Sequence, residues 1–243
     1  MTADRADRAD RARRVAGIIG GIGPESTLDY YRQIIDRYRA RAGNGRYPHV
    51  LINSIDAETV VPLVLAGELP RLAEILSAEV ERLASAGATF ALLAANTPHI
   101  VFDDLKARSR IPLLSIVEAT ADAARARGLT RPALLGTRPT MQGRFFPEVF
   151  RKASLDLVVP RPDEQEVVHE IYMVELFRGV FRPESRERIC NVMDRLAAEE
   201  RADSVILGGT ELPLLMREVE HRTPPFLDTT KIHVERIVDE LLS

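Results

Sequence analysis

The chain has 243 residues, 33 Lys and Arg against 36 Asp and Glu, a formal net charge of −3 and 45% hydrophobic residues. That balance is enough for one large or two small folded domains, and it excludes the basic stripe with which proteins grip nucleic acid. Apolar runs such as SVILGG and FALLAA are strand-sized and too short to cross a bilayer; with Cys190 as the single cysteine no internal disulfide can form, so we expect a cytoplasmic protein without a membrane partner.

The chain opens on MTADRADRADRARR, an Asp-Arg-Ala repeat with no apolar core. It does not read as a secretory signal, and we expect a flexible, solvated tail over 1–14 or a short helix extension. Beyond it, short apolar runs alternate with longer segments of helical period, the pattern of an α/β protein with mostly parallel strands. Strands are expected at 15–19, 50–53, 89–94, 113–116, 133–135, 157–159, 204–207 and 226–227. The clearest helix is LPRLAEILSAEVERLASAG, with Pro70 in its first turn, Leu72, Ile75, Leu76, Val80 and Leu83 on one face and Gly87 at its end. VEATADAARARG repeats the design and stops at Gly128. Cys190 follows Ile189 and precedes Val192, Met193 and Leu196, a spacing that makes it a small packed hydrophobe.

A fold of this kind gathers ligand-binding groups at the C-terminal ends of its strands. Four such ends stand out: GIIGGIGPEST, LLAANTPH, LLGTRPTM and ILGGTELP. The separation of Gly20 from Ala95 nearly equals that of Gly136 from Gly209, which suggests two halves of similar layout facing one cleft. The first end fails as a dinucleotide fingerprint because Ser26 stands where the third glycine belongs, and no GK[ST] follows to make a P-loop. Gly21 and Gly23 remain as backbone able to approach a ligand, or as a tight turn only. Asn96, Thr97, Thr137 and Thr210, with the backbone at Gly208, can present hydroxyl, amide and N–H groups to a carboxylate.

Three side chains are candidates for proton transfer. Glu211 follows Thr210 at a strand end and either faces the cleft as a base or bonds nearby backbone; His99 either shuttles a proton or orients its loop; Asp56, after INSID, either serves as a base or caps the next helix. His49, His169, His221 and His233 complete the histidines, none in a metal-binding spacing, so no metal is expected. Lys106, Lys152 and Lys231 lie in no setting that favours a pyridoxal Schiff base.

The five motifs GIIGGIGPESTLDYY, LLAANTPH, LLGTRPTM, ILGGTELPLL and FLDTTKIHVERIV resemble, in order and spacing, those of the aspartate/glutamate racemases of the Asp/Glu/hydantoin racemase superfamily. The resemblance implies two similar α/β domains with parallel sheets flanked by helices, related by a pseudo-twofold axis, with an active-site cleft between them. It divides the chain into 15–115 plus 226–243 as the first domain and 116–225 as the second. It also implies a homodimer that works without a cofactor on an amino or dicarboxylic acid. In that family C-N-T and G-C-T-E supply two thiols that flank the substrate α-carbon, one removing a proton and the other returning it from the opposite face. Here Ala95 and Gly209 occupy those positions, and Ser115 stands where relatives commonly carry His. The expectation is therefore a cofactor-independent isomerase, or a lyase or decarboxylase variant, that does not use the two-thiol mechanism. The alternative is a carboxylate-binding or regulatory protein without turnover.

Overall fold

The structure is a computed structural model that describes residues 14–43, 45–219 and 224–243. The tail expected over 1–14 lies outside the described residues except for Arg14, and so does His221. The first sheet grows from β1 (Val15–Gly20), whose glycine at 17 and apolar neighbours let helices cover both faces. The helix α1 (Pro24–Ala42) follows, with Pro24 in its first turn and a left-handed Gly43 ending it. Next come β2 (His49–Ser54), α2 (Ala57–Ala66) and α3 (Leu69–Ser85). The strand β3 (Phe90–Leu93), the short helix α4 (Phe102–Arg108) and β4 (Leu113–Leu114) complete the half. All pairings are parallel, in the order β2-β1-β3-β4, with Ile18 aligned on Ile52 and Leu92.

The helix α3 buries Leu72, Leu76, Val80 and Leu83 against this sheet as its spacing predicts, with Ile75 at the margin. Each fully buried Leu or Val contributes about 1.5–3 kcal/mol relative to exposure, so this one stripe holds the helix without help from propensity.

The helix α5 (Ile116–Ala126) leads into the second half, which holds β5 (Pro132–Gly136), α6 (Arg138–Gln142), α7 (Phe145–Lys152), α8 (Pro162–Val174) and α9 (Pro183–Glu199). It continues through β6 (Ser204–Gly208), α10 (Leu212–Leu215), β7 (Phe226–Asp228) and α11 (Thr229–Leu242). The second sheet is also parallel, in the order β5-β6-β7. The strand expected at 157–159 is reduced to a single bridge from Val158 to Ala133, because Pro160 follows at once and the chain turns into α8. Cys190 packs among Ile189, Val192, Met193 and Leu196 in the second core.

The last strand departs from the expected division. β7 was assigned by the motif order to the first half, yet it extends the second sheet, with Leu227 beside Ile206 and packed among Ile116, Leu134 and Phe150. Only α11 crosses back: Ile232 at its start belongs to the second core, while Val234, Ile237, Val238 and Leu241 pack on Ala16, Tyr30 and Leu92 of the first. This helix packs on the cores of both halves.

Candidate active site

Parallel pairing places the C-terminal ends of β1 and β3 on one edge and those of β5 and β6 on another, and the loops leaving them meet. A cleft open to solvent lies there, with an innermost cavity of about 50 Å³, lined by Ala95, Asn96, Thr97 and Pro98 after β3, by Thr137 and Pro139 after β5, and by Thr210 after β6. Ile22 and α2 close it on one side, and His169, Tyr172, Met173 and Phe177, on α8 and just beyond it, close the other.

Three hydroxyls join the halves. Thr97 Oγ1 lies 3.0 Å from both Thr137 Oγ1 and Thr140 Oγ1, which are themselves 3.1 Å apart. Each hydroxyl has one proton and two lone pairs, so the triangle satisfies its donors internally and keeps acceptor capacity to spare. Turning one hydroxyl toward the cavity gives up one bond of the triangle, a net cost near 1 kcal/mol.

Asn96 is 3% exposed, and its orientation is fixed by a chain of bonds. Thr229 Oγ1 donates to Leu207 O at 2.8 Å, so it must accept from its neighbour, and Asn96 Nδ2 donates to it at 3.1 Å. The amide is thereby held with nitrogen toward Thr229, and Asn96 Oδ1 is left buried with no donor. A buried acceptor without a donor costs about 1–3 kcal/mol, which a donor brought within its reach would relieve.

Tyr172 lies directly against Gly209. A Cβ at position 209 would lie 2.3 Å from Tyr172 Cε2 and 2.8 Å from its Oη, so only glycine fits beneath the ring. The phenol donates a short hydrogen bond to Glu211 Oε2, which also accepts from Thr210 Oγ1 at 3.1 Å. Burial raises the Glu211 carboxyl above its ordinary range, and burial followed by the charge of Glu211 raises the Tyr172 phenol well above 10.0. Glu211 lies behind the tyrosine: it is 2% exposed, and its Oε1 would stand 2.6 Å from a Cβ at Gly23.

The remaining sequence candidates serve the frame of the site. His99 Nε2 accepts from Ile116 N–H at 3.2 Å, which puts its proton on Nδ1, where it donates to Ala95 O at 3.0 Å. With its ring stacked on Phe102 and burial lowering its pKa to about 4, His99 is a neutral brace between the loop after β3 and the start of α5. Asp56 is exposed and caps α2 by accepting from Glu58 N–H at 2.9 Å. Gly21, with φ of 87°, gives its N–H to Thr27 Oγ1 at 2.8 Å. Gly208 ends β6 beside Gly136. Ser115 caps α5, accepting from Val117 and Glu118 N–H groups at 3.2 Å. The cavity thus brings together Ala95, Asn96, Thr97, Thr137 and Thr210, while Gly21, Gly23, Gly208, Gly209, Asp56, His99 and Glu211 stand outside its lining.

Reading strand ends misses Tyr172 and His169, because both come from α8. Their spacing of three residues, with Met173 next, puts them on one helix face, and that is the one signal the sequence offers. His169 Nδ1 accepts the Arg138 N–H at 3.2 Å, and burial with the Arg138 charge lowers its pKa. Among the described residues, no group of three or more His, Cys, Asp or Glu side chains is placed to hold a metal ion, and no helix is long and apolar enough to cross a membrane.

Comparison with known proteins agrees with this layout. The model of the Asp/Glu/Hydantoin racemase family matches residues 19–237. A solved structure of a candidate Asp/Glu racemase from Yersinia pestis is 32% identical, with 95% of this chain and 100% of that one covered and a TM-score of 0.86. An aspartate racemase homologue from Pyrococcus horikoshii OT3 is also 32% identical, with the same coverage and a TM-score of 0.80. The broad specificity amino-acid racemase RacX of Bacillus subtilis (strain 168) is 24% identical over 213 residues, 84% of this chain and 88% of its own length.

Proposed function

Because the chain belongs to the Asp/Glu/hydantoin racemase family, we propose that it binds a small amino acid in the cleft and acts on its α-carbon from one face, without thiols. The observation that carries this reading is the cavity lined from both halves, with Asn96 Oδ1 buried and lacking a donor. In this reading the ligand's α-ammonium donates to Asn96 Oδ1, and its carboxylate accepts from the Thr97 or Thr137 hydroxyl, while Thr210 lines the cleft and keeps its proton on Glu211. The substrate-binding set is Asn96, Thr97, Thr137 and Thr210.

The chemistry follows from Tyr172 and Glu211. As the Cα–H bond breaks, its proton passes to Tyr172 Oη while the phenol's own proton passes to Glu211 Oε2, so the carboxylate is the final base and the phenol is the relay. The electron pair left on carbon delocalises into the substrate carboxylate, where the threonine hydroxyls stabilise it. Return of a proton by the same route restores the original configuration. The same relay can protonate a carbanion left by loss of a carboxylate or another leaving group. Since Ala95 supplies only a methyl group on the face the family gives to its first thiol, inversion is disfavoured.

Ala95 also favours a second reading, a protein that holds the acid without turning it over. Incubation in D₂O with amino acids, followed by NMR and chiral chromatography, separates the two. Loss of the Cα–H signal without inversion is the expected result, and consumption with deuterium incorporation supports the lyase form. Ligand-induced thermal stabilisation with neither change supports binding alone and overturns the enzymatic reading.

A further inference from the structure

The walls of the cavity carry information about the ligand that its polar groups do not. Around the Asn96 and threonine cluster the lining is hydrocarbon: Ile22 from the loop after β1, Val60, Val61 and Val64 from α2, and Met173 and Phe177 from the α8 side. Among the described residues, no Arg or Lys contributes to it. The nearest guanidinium in sequence, Arg138, pairs with Glu166, and His169 is held neutral by burial and by the charge of Arg138.

A zwitterionic α-amino acid has no net charge, and its ammonium and carboxylate compensate each other in the cavity. A dicarboxylate brings one further negative charge with no cation to meet it, and burying a charge unpaired is far more costly than burying a methyl group. We infer that the cleft selects a neutral α-amino acid with an apolar side chain, seated against Val60, Val61 and Val64 of α2, and discriminates against aspartate and glutamate. This narrows the dicarboxylate expectation drawn from the family, and it rests on the proposed reading that an amino acid occupies the cleft.

Titration calorimetry on the full chain tests it with L- and D-leucine, L- and D-methionine, L- and D-aspartate, L- and D-glutamate, and 4-methylpentanoate, which keeps the leucine skeleton without its amine. Leucine or methionine is expected to bind about tenfold or more tightly than either dicarboxylate, and 4-methylpentanoate is expected to bind more weakly than leucine because Asn96 Oδ1 then keeps no donor. Aspartate or glutamate binding as well as leucine overturns the inference while leaving the amino-acid cleft standing. Failure of every compound to bind overturns both. Val64→Arg is expected to reverse the preference toward the dicarboxylates, with Val61→Lys as the second variant should the first fail to fold; a folded variant with unchanged preference also overturns the inference.

Discussion

The ring of Tyr172 lies over Gly209 so closely that any β-carbon there would meet Cε2 at 2.3 Å. Position 209 has no room for a side chain, because a residue of α8 takes the space. Introducing Gly209→Cys alone is expected to destabilise the fold by about 1–3 kcal/mol through overpacking. In the Tyr172→Ala background, itself destabilised by loss of a buried ring and of a donor to Glu211, Gly209→Cys should cost less, and urea midpoints of the two single variants and the double variant measure the coupling. Strict additivity would contradict the contact.

The tyrosine and the glutamate act as one unit in the proposed reaction. Tyr172→Phe removes the relay but keeps the ring over Gly209, and Glu211→Gln removes the final base. Each is expected to slow Cα deuterium exchange by about 10²–10⁴-fold, and the double variant should be little worse than either single. Calorimetry should find ligand affinity changed far less than exchange by Tyr172→Phe. Equal losses in both would mean the phenol only shapes the pocket.

Ala95 lines the cavity from the first half, where the family resemblance puts a thiol across the α-carbon from position 209. Ala95→Cys would give the cleft a proton carrier on each face: a thiol opposite the Tyr172 and Glu211 relay. The expected outcome is a change from exchange with retention to racemisation, read by chiral chromatography. Iodoacetamide should label this cysteine and abolish the gained activity.

Much of this organisation was legible beforehand, and the gaps have physical causes. Strand ends could be found because buried parallel strands are continuous apolar runs, and the loops after them are polar and rich in glycine or threonine. Asn96, Thr97, Thr137 and Thr210 carry that signal, and all four line one cavity. The placement of β7 was not legible, since a three-residue strand has no periodicity to show which sheet it joins. Tyr172 was invisible for another reason: its importance comes from meeting Gly209 and Glu211, partners 37 and 39 residues away across a helix-to-loop contact. The roles left open for Asp56 and His99 depended on hydrogen-bond geometry. One proves to be an exposed cap, and the other a brace with both nitrogens bonded to backbone.

The two buried histidines make the fold less stable in acid. Burial lowers His99 from 6.5 to about 4 and His233 from 6.5 to about 3; the latter accepts from Tyr30 Oη at 2.9 Å and donates from Nε2 to Leu114 O at 3.2 Å. A depressed folded pKa means that the unfolded chain binds protons first, so the stability these groups contribute is complete above 6.5 and is lost as pH falls toward 4 and then 3. For His99 alone that window corresponds to about 3 kcal/mol. Glu211 works in the opposite sense, because its raised folded pKa makes the folded state less stable as pH rises above the ordinary 4.5. Unfolding free energies measured in urea from pH 8 to pH 4 should therefore fall on the acid side, and Glu211→Gln should gain on the parent as pH rises. A pH-independent difference between parent and Glu211→Gln would show that the buried carboxyl is not shifted, and with it would go the case for Glu211 as a proton acceptor tuned by burial.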